Sequence, residues 1–140
     1  MEIWQANAHG RSSDPRHKNM SVKPDPNFLE FGHFFTGEDD AYRFRSIKPA
    51  QYKDSAAWVR PPHIHFTVFL PSGGEWTMQM CFAGEPLNKN DFLRTAIVSN
   101  DARKRLALEF RLATSAPDKT AHIGHFDIML RMPGVTRGEA

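Results

Sequence analysis

Cysteine is nearly absent from this chain of 140 residues, and long apolar runs are missing altogether. Cys81 is the single cysteine, so no internal disulfide can form, and this composition is typical of the reducing cytoplasm. No apolar run approaches the roughly 18 residues of a membrane-spanning helix. Met1–Asn7 has neither the basic nor the apolar segment of a signal peptide. We therefore expect a cytoplasmic protein without a membrane segment.

An excess of charge of one sign is also missing. The chain has 18 Lys and Arg residues against 16 Asp and Glu residues, which argues against recognition of nucleic acid by a basic surface. It contains no G-x-S-x-G, no phosphate-binding loop and no G-x-G-x-x-G, so the enzyme classes that carry those motifs are disfavoured. A Cys-x-x-Cys zinc site is impossible with one cysteine. We expect neither nucleic acid nor a membrane as a partner.

Apolar material is sufficient for a core, because 40% of the residues are hydrophobic and 11% are aromatic. We expect one domain over Met1–Ala140. Short strand-like segments follow one another between loops that contain proline and glycine, which predicts an all-β sandwich or barrel. The predicted strands are Glu2–Ala6, Tyr42–Ile47, Ile64–Leu70, Glu75–Ala83 and Ile123–Arg131.

One segment, Asn100–Leu112, has the pattern of a helix. Ala102, Leu106 and Phe110 recur every four residues and form one apolar stripe. Ser99 is one of the residues that can cap the N-terminus. The sequence therefore predicts a single short helix near the C-terminal third of the chain.

Alternation along the predicted strands separates an apolar face from a polar one. In Ile64–Leu70 the even-numbered residues are apolar, whereas His63 and His65 share the opposite face because residues i and i+2 lie on the same side of a strand. The next strand has Gln79 and Cys81 on its polar face. We interpret Cys81 as structural, since no neighbouring histidine or helix N-terminus activates its thiol.

The segment Arg60–Phe66 carries the strongest local signal for chemistry. Its two histidines at i and i+2 can bind one metal ion, and the two prolines before them stiffen the strand entry. On spacing alone, a solvated surface pair of histidines remains the alternative. Arg60 can place a cation at the same site or serve as a surface ion-pair partner.

Two further residues could complete such a site. Tyr52 precedes the histidine pair, and a bound cation can hold a tyrosine as phenolate; its alternative role is to cover the edge of the core. Gln79 either lines a pocket or is an ordinary solvated strand residue.

Taken together and in order, several motifs resemble those of the intradiol ring-cleavage dioxygenases. The motifs lie at Glu2–Ala8, Gly10–Arg11, Asp25–Phe28, Tyr42–Pro49, Arg60–Phe66, Gln79–Phe82, Gly84–Leu87 and Phe126–Ile128. The resemblance is colinear over nearly the whole chain and is strongest to members that cleave protocatechuate. It implies a β-sandwich of the intradiol dioxygenase type with a non-haem Fe(III) cofactor held by two tyrosines and two histidines.

The resemblance also implies an activity and a set of site residues. The enzyme would be an oxidoreductase that inserts O2 into a catechol-type, protocatechuate-like ring between its hydroxylated carbons, giving a cis,cis-muconate in aromatic compound catabolism. By motif, Tyr52, His63 and His65 match metal ligands. Tyr52 also matches a catalytic residue, and Arg60 and Gln79 match residues that face the substrate. An oligomer with a related subunit is implied as well.

Two departures from the family pattern define the alternative. Where the family has its second tyrosine ligand after the Gly-Arg pair, this chain has Ser12. Asp14 or His17 in the same loop could supply a ligand, and the site could then favour Fe(II) or another divalent metal. A non-catalytic or altered-metal paralogue is therefore the second hypothesis. The chain also starts within the family's domain, so we expect a catalytic domain that is truncated at its N-terminus.

Overall fold

Short strands dominate the computed structural model, which describes residues 1–12, 22–115 and 117–130. The elements are β1 (Glu2–Gln5), β2 (Phe31–His33), β3 (Tyr52–Lys53), β4 (Val59–Arg60), β5 (His63–Phe69), β6 (Glu75–Phe82), a 3-10 helix (Pro86–Asn90), α1 (Phe92–Thr95), α2 (Asn100–Arg105), β7 (Ala107–Leu108), β8 (Arg111–Leu112) and β9 (His122–Ile123). The predicted all-β fold with a short helix in the C-terminal third is confirmed.

A five-stranded sheet in the order β2-β1-β5-β6-β7 forms the centre of the fold. Its pairs are antiparallel except for β6 and β7, which are parallel. The register places Trp4 and Gln79 on either side of His65, and Cys81 opposite His63. The β3–β4 hairpin and the β8–β9 pair form separate two-stranded sheets. The two longest strands, β5 and β6, therefore bring the sequence-predicted residues of the polar face next to one another.

The hydrophobic core covers the other face of this sheet. Ile64 and Phe66 on β5 pack with Met80 and Phe82 on β6, and all four are buried. Burial of side chains of this size stabilises a fold by about 1.5–3 kcal/mol each. Partly buried apolar side chains pack against this cluster: Met1, Ile3, Tyr42, Phe44, Met78, Leu108, Phe110, Phe126 and Ile128. The apolar and polar side chains of β5 therefore lie on opposite faces of the sheet, as the alternation predicts.

The predicted strand Tyr42–Ile47 is wrong, because the segment pairs with no other strand in the described part of the chain. Its alternation is nevertheless real. Tyr42 and Phe44 pack on the core while Arg43 and Arg45 are exposed. A period of two reports which way side chains face, whereas a strand also needs a neighbour for its backbone hydrogen bonds.

The predicted strand Ile123–Arg131 is wrong in extent, since only His122–Ile123 forms a ladder and Arg131 lies outside the described residues. Phe126 and Ile128 again pack on the core, with the exposed Asp127 between them. As in the preceding case, the side-chain pattern is that of a strand although the backbone is not paired.

The predicted helix Asn100–Leu112 ends early, at Arg105. Ser99 caps it, its hydroxyl accepting a hydrogen bond from the amide of Ala102 at 3.2 Å. Beyond the helix the chain becomes β7, where Leu108 turns into the core. Leu106, Leu108 and Phe110 also recur at a period of two, so the fourfold spacing did not distinguish helix from strand. The longest helix among the described residues has 6 residues, so none of them meets the length and apolar character of a bilayer-spanning segment.

Candidate active site

Two histidines meet on the sheet face opposite the core. The Nε2 atoms of His63 and His65 are 3.0 Å apart, and their ring planes are nearly perpendicular, at 81°. His63 is only 3% exposed, whereas His65 is half-buried beside a cavity. The pair is therefore not a solvated surface pair, which was the alternative that the sequence left open.

His63 is held as a neutral ring with a defined proton position. Its Nδ1 lies 2.7 Å from the carbonyl oxygen of Pro61, and this oxygen can only accept, so the ring donates from Nδ1. Burial, reinforced by the Arg60 cation, lowers the pKa of His63 to about 3, although the Pro61 hydrogen bond opposes the shift. The Nε2 lone pair of His63 therefore points at Nε2 of His65, from which it can accept a hydrogen bond, and the same unprotonated Nε2 is what metal ligation requires.

Trp4 fixes the ring of His65. The two side chains are cross-strand neighbours on β1 and β5. Their rings stack with centroids 4.9 Å apart and planes within 4° of parallel. Such pairs stabilise a sheet by about 0.2–1 kcal/mol, but here the stack also sets the direction in which the imidazole points.

The separation of the two nitrogens suits a shared cation. Two imidazole nitrogens bound at right angles to one ion, each at about 2.1 Å, lie about 3.0 Å apart. The described residues contain no group of three or more His, Cys, Asp or Glu side chains that could hold a metal. A third protein ligand from these residues would therefore be of another type, and the hydroxyl-bearing Tyr52 and Ser12 line the same cavity.

Tyr52 reaches this cavity from the β3–β4 hairpin, where it pairs with Arg60. Its ring lies 5.5 Å from that of His63. Gly10 packs against the hairpin so closely that a Cβ there would lie 2.6 Å from the carbonyl oxygen of Gln51 and 3.2 Å from the Cβ of Tyr52. Gly10 also has a φ of +80°, which glycine adopts at no steric cost. The turn that follows β1 thus determines where Tyr52 sits.

Ser12 lies in the cavity wall, 6% exposed, in the same lining as Tyr52 and the two histidines. The residue at which this chain departs from the family pattern therefore lies beside the candidate metal centre. Asp14 and His17, the two candidate replacement ligands, lie outside the described residues.

Arg60 is buried at the centre of a polar network and is not a surface ion-pair residue. Its guanidinium donates to the Tyr52 hydroxyl at 3.3 Å and to the Gln79 amide oxygen at 2.5 Å. It also lies 3.6 Å from the Asp91 carboxylate and 5.2 Å from the centre of the Trp58 ring. Gln79 accordingly belongs to this hydrogen-bonded network, although it is not among the described residues that line the cavity. The network links the β3–β4 hairpin to β6.

Asp91 is the member of this network that sequence reasoning missed. It is fully buried, caps α1 by accepting from the Leu93 amide at 3.1 Å, and accepts from the Gln79 amide at 3.4 Å. An aspartate just before a helix is a recognisable capping signal. That signal gives no indication of the contact with Arg60, which arises from tertiary packing.

Cys81 lies beneath the site as a buried thiol. Burial and the Asp91 charge raise the pKa of Cys81 to about 11, against the opposing effect of the nearby arginines. The thiol is therefore protonated at neutral pH, in agreement with the structural role that the sequence indicates.

The cavity beside the two histidines has a volume of about 230 Å³. It is lined by Trp4, Gln5, Ala6, Ser12, Tyr52, Asp54, Trp58, Arg60, His63, His65 and Leu93. An enclosed cavity of about 150 Å³ is enough for benzene, so one substituted aromatic ring fits. A more open cavity of about 380 Å³ shares no lining residue with it.

The chain is similar to known proteins over most of its length. A family model described as Dioxygenase matches residues 1–132. The protocatechuate 3,4-dioxygenase beta chain of Burkholderia cepacia is 39% identical over 138 residues, which cover 94% of this chain and 56% of that relative. The chain therefore spans about half the length of this curated relative.

Proposed function

The chain belongs to the intradiol ring-cleavage dioxygenase family, and we propose that it is a non-haem iron oxidoreductase that cleaves a catechol-type ring between its hydroxylated carbons to a cis,cis-muconate. The observation that carries the proposal is the convergence of His63 and His65 at 3.0 Å beside a cavity of ring size. The name of the similar beta chain contains protocatechuate, so this compound is tested first, with unsubstituted catechol beside it as a substrate that carries no side-chain charge. The proposed setting is aromatic compound catabolism in the cytoplasm.

His63, His65 and Tyr52 are the residues that would hold the iron. The fit rests on the donor set, because two neutral imidazoles and a phenol oxygen are donors that iron accepts. When bound, Fe(III) supplies the Lewis acidity that favours the catecholate and the redox partner that the reaction with O2 needs. The Trp4 stack and the Pro61 hydrogen bond support the proposal because they hold both rings in the required direction.

Tyr52 is proposed to take up a proton from the substrate. Arg60 donates to the Tyr52 hydroxyl oxygen at 3.3 Å, so its positive charge faces the atom that would take up the proton. A phenolate in this position can accept the proton of a catechol hydroxyl as a general base. Arg60 would also stabilise negative charge that develops on the ring oxygens. Gln79 keeps the guanidinium in place through its 2.5 Å hydrogen bond.

Ser12 favours a second candidate, a non-catalytic or altered-metal paralogue. Its side chain lies in the cavity wall, and a serine hydroxyl supplies no phenolate charge. With one anionic donor fewer, the site would hold Fe(III) more weakly, and in this second candidate it holds Fe(II) or another divalent ion instead. The alternative keeps the three ligands Tyr52, His63 and His65 and changes the metal or abolishes turnover.

Assembly with a related subunit is part of the proposal. The similar relative is named as a beta chain, which is the name of one component of a larger protein. Native mass spectrometry of the protein with and without co-expressed family members tests this part. A monomer under both conditions contradicts it.

Metal content and the visible spectrum of the same purified sample test the activity. We expect about one iron per chain and a phenolate-to-iron absorption band, followed by O2 uptake with protocatechuate or catechol. His63→Ala should abolish iron binding, whereas His125→Ala, at an exposed histidine, should leave it unchanged. Iron or zinc without the band supports the altered-metal paralogue. A folded protein that binds no metal after reconstitution contradicts the proposal.

A further inference from the structure

The two charged residues in the wall of the cavity differ in whether an ion pair balances their charge. Among the lining residues that the structure describes, Asp54 and Arg60 are the two that carry a formal charge. Arg60 is matched by the fully buried carboxylate of Asp91 at 3.6 Å. Asp54 forms no ion pair with any residue in the described ranges. Among the described lining residues, Asp54 is therefore the charged side chain that has no ion-pair partner in the described ranges.

Asp54 is held in a defined place relative to Tyr52. It follows Tyr52 by two residues, and its amide donates to the carbonyl oxygen of Trp58 at 3.0 Å in the turn of the hairpin. Both residues line the same cavity of about 230 Å³. A substituted ring whose hydroxyls are at Tyr52 therefore occupies a cavity whose wall also contains Asp54.

Resting on the proposed function, we infer that Asp54 is a specificity-determining residue and that the site prefers catechols whose side chain carries an ammonium group over those that carry a carboxylate. The half-buried Asp54 carboxylate attracts a cation and repels an anion, and both effects are stronger in a partly desolvated cavity than in water. The catechol ring is recognised by the metal ligands, while the substituent is selected by the charge of this wall.

Binding of three catechols of similar size tests the inference without turnover. The probes are 4-(2-aminoethyl)catechol, 4-ethylcatechol and 3,4-dihydroxyphenylacetate, titrated anaerobically into the metal-loaded protein by calorimetry. We expect the ammonium compound to bind at least roughly tenfold more tightly than the carboxylate, with the neutral compound between them. Asp54→Asn should bring the three dissociation constants together, and Asp54→Lys should reverse their order.

Two variants control for structural effects. Asp54→Glu keeps the charge and should keep the order of affinities, whereas Glu75→Gln removes an exposed carboxylate at the far end of β6 and should change nothing. Equal binding of all three probes, or a preference that Asp54→Asn leaves intact, overturns the role of Asp54 while leaving ring recognition in place. If no catechol binds to any metal-loaded variant, the proposed function fails and the inference fails with it.

Discussion

The carboxylate of Asp91 lies 3.6 Å from the guanidinium of Arg60, and both side chains are almost completely excluded from solvent. This ion pair fastens α1, which Asp91 caps, to the β3–β4 hairpin that carries Tyr52. Desolvating two charges is costly, and the cost is offset only while both partners are present. The geometry of the candidate site thus depends on a carboxylate that touches neither candidate metal ligand in the sheet.

Replacement of Asp91 by alanine should be strongly destabilising. It leaves the Arg60 charge buried without its partner and removes a helix cap, so we expect a loss of about 3–5 kcal/mol in the free energy of unfolding. Urea denaturation followed by circular dichroism measures the loss. Glu109→Ala, at an exposed residue of the same charge, should change stability by less than about 0.5 kcal/mol. A similar small change for both variants would show that the ion pair contributes little.

Replacement of Gly10 by alanine should disturb the position of Tyr52. A Cβ at Gly10 would lie 2.6 Å from the backbone of Gln51, and the residue has a φ of +80°. We expect Gly10→Ala to lower stability by about 1–3 kcal/mol and to weaken metal binding. Gly73→Ala is the matched control, because Gly73 has a φ of +87° with nothing within 4 Å of the added Cβ. The difference between the two variants in melting temperature and metal content isolates the clash from the backbone strain.

Acid should destabilise the metal-free protein through His63. The folded pKa of this group is about 3, whereas an unfolded histidine titrates near 6.5. Between these values the unfolded chain binds more protons, so stability falls as the pH drops below about 6.5, by up to about 1.4 kcal/mol per pH unit. Denaturation of chelator-treated protein across this range gives the slope. His63→Gln should flatten it, and an unchanged slope would assign the proton uptake to other groups.

Alkali should destabilise the fold through Tyr42. Burial, with the Asp127 charge adding to it, raises the pKa of Tyr42 to about 12, and its hydroxyl donates to the carbonyl oxygen of Phe126 at 2.5 Å. The unfolded phenol ionises near 10, so the folded state holds the proton longer and stability falls as the pH rises from about 10 to 12. Since the chain has only two tyrosines, ultraviolet titration of Tyr42→Phe against the unaltered protein identifies the late phase. If both proteins show the same increase in absorbance at high pH, the assignment to Tyr42 is wrong.

Local geometry explains what the sequence could predict about the site. The shared face of His63 and His65, and the position of Gln79 toward them, follow from the strict period of two in a strand. The contact of Arg60 with Asp91 could not be predicted in this way, because it joins residues far apart in sequence and depends on how α1 packs. Ser12 could be identified only by resemblance to a family pattern, since a serine in a turn has no distinctive periodicity.

The same limit applies to the fold. The alternation in Tyr42–Ile47 correctly indicates which side chains enter the core, yet it cannot show that the backbone lacks a strand partner in the described residues. Leu108 and Phe110 satisfy both a helical and an extended spacing, and pairing with β6 decides between them. The hydrophobic period thus predicts reliably which side chains point into the core, but it predicts poorly which strands pair through backbone hydrogen bonds.

The stack of Trp4 on His65 has an optical consequence. An indole 4.9 Å from a candidate ligand ring emits light whose intensity depends on what that ring binds, because open-shell ions quench nearby excited aromatic groups. The other two tryptophans are Trp58, which lines the same cavity, and Trp76, which is exposed on β6. Occupancy of the histidine pair can therefore be followed in real time from the fluorescence of the unlabelled chain.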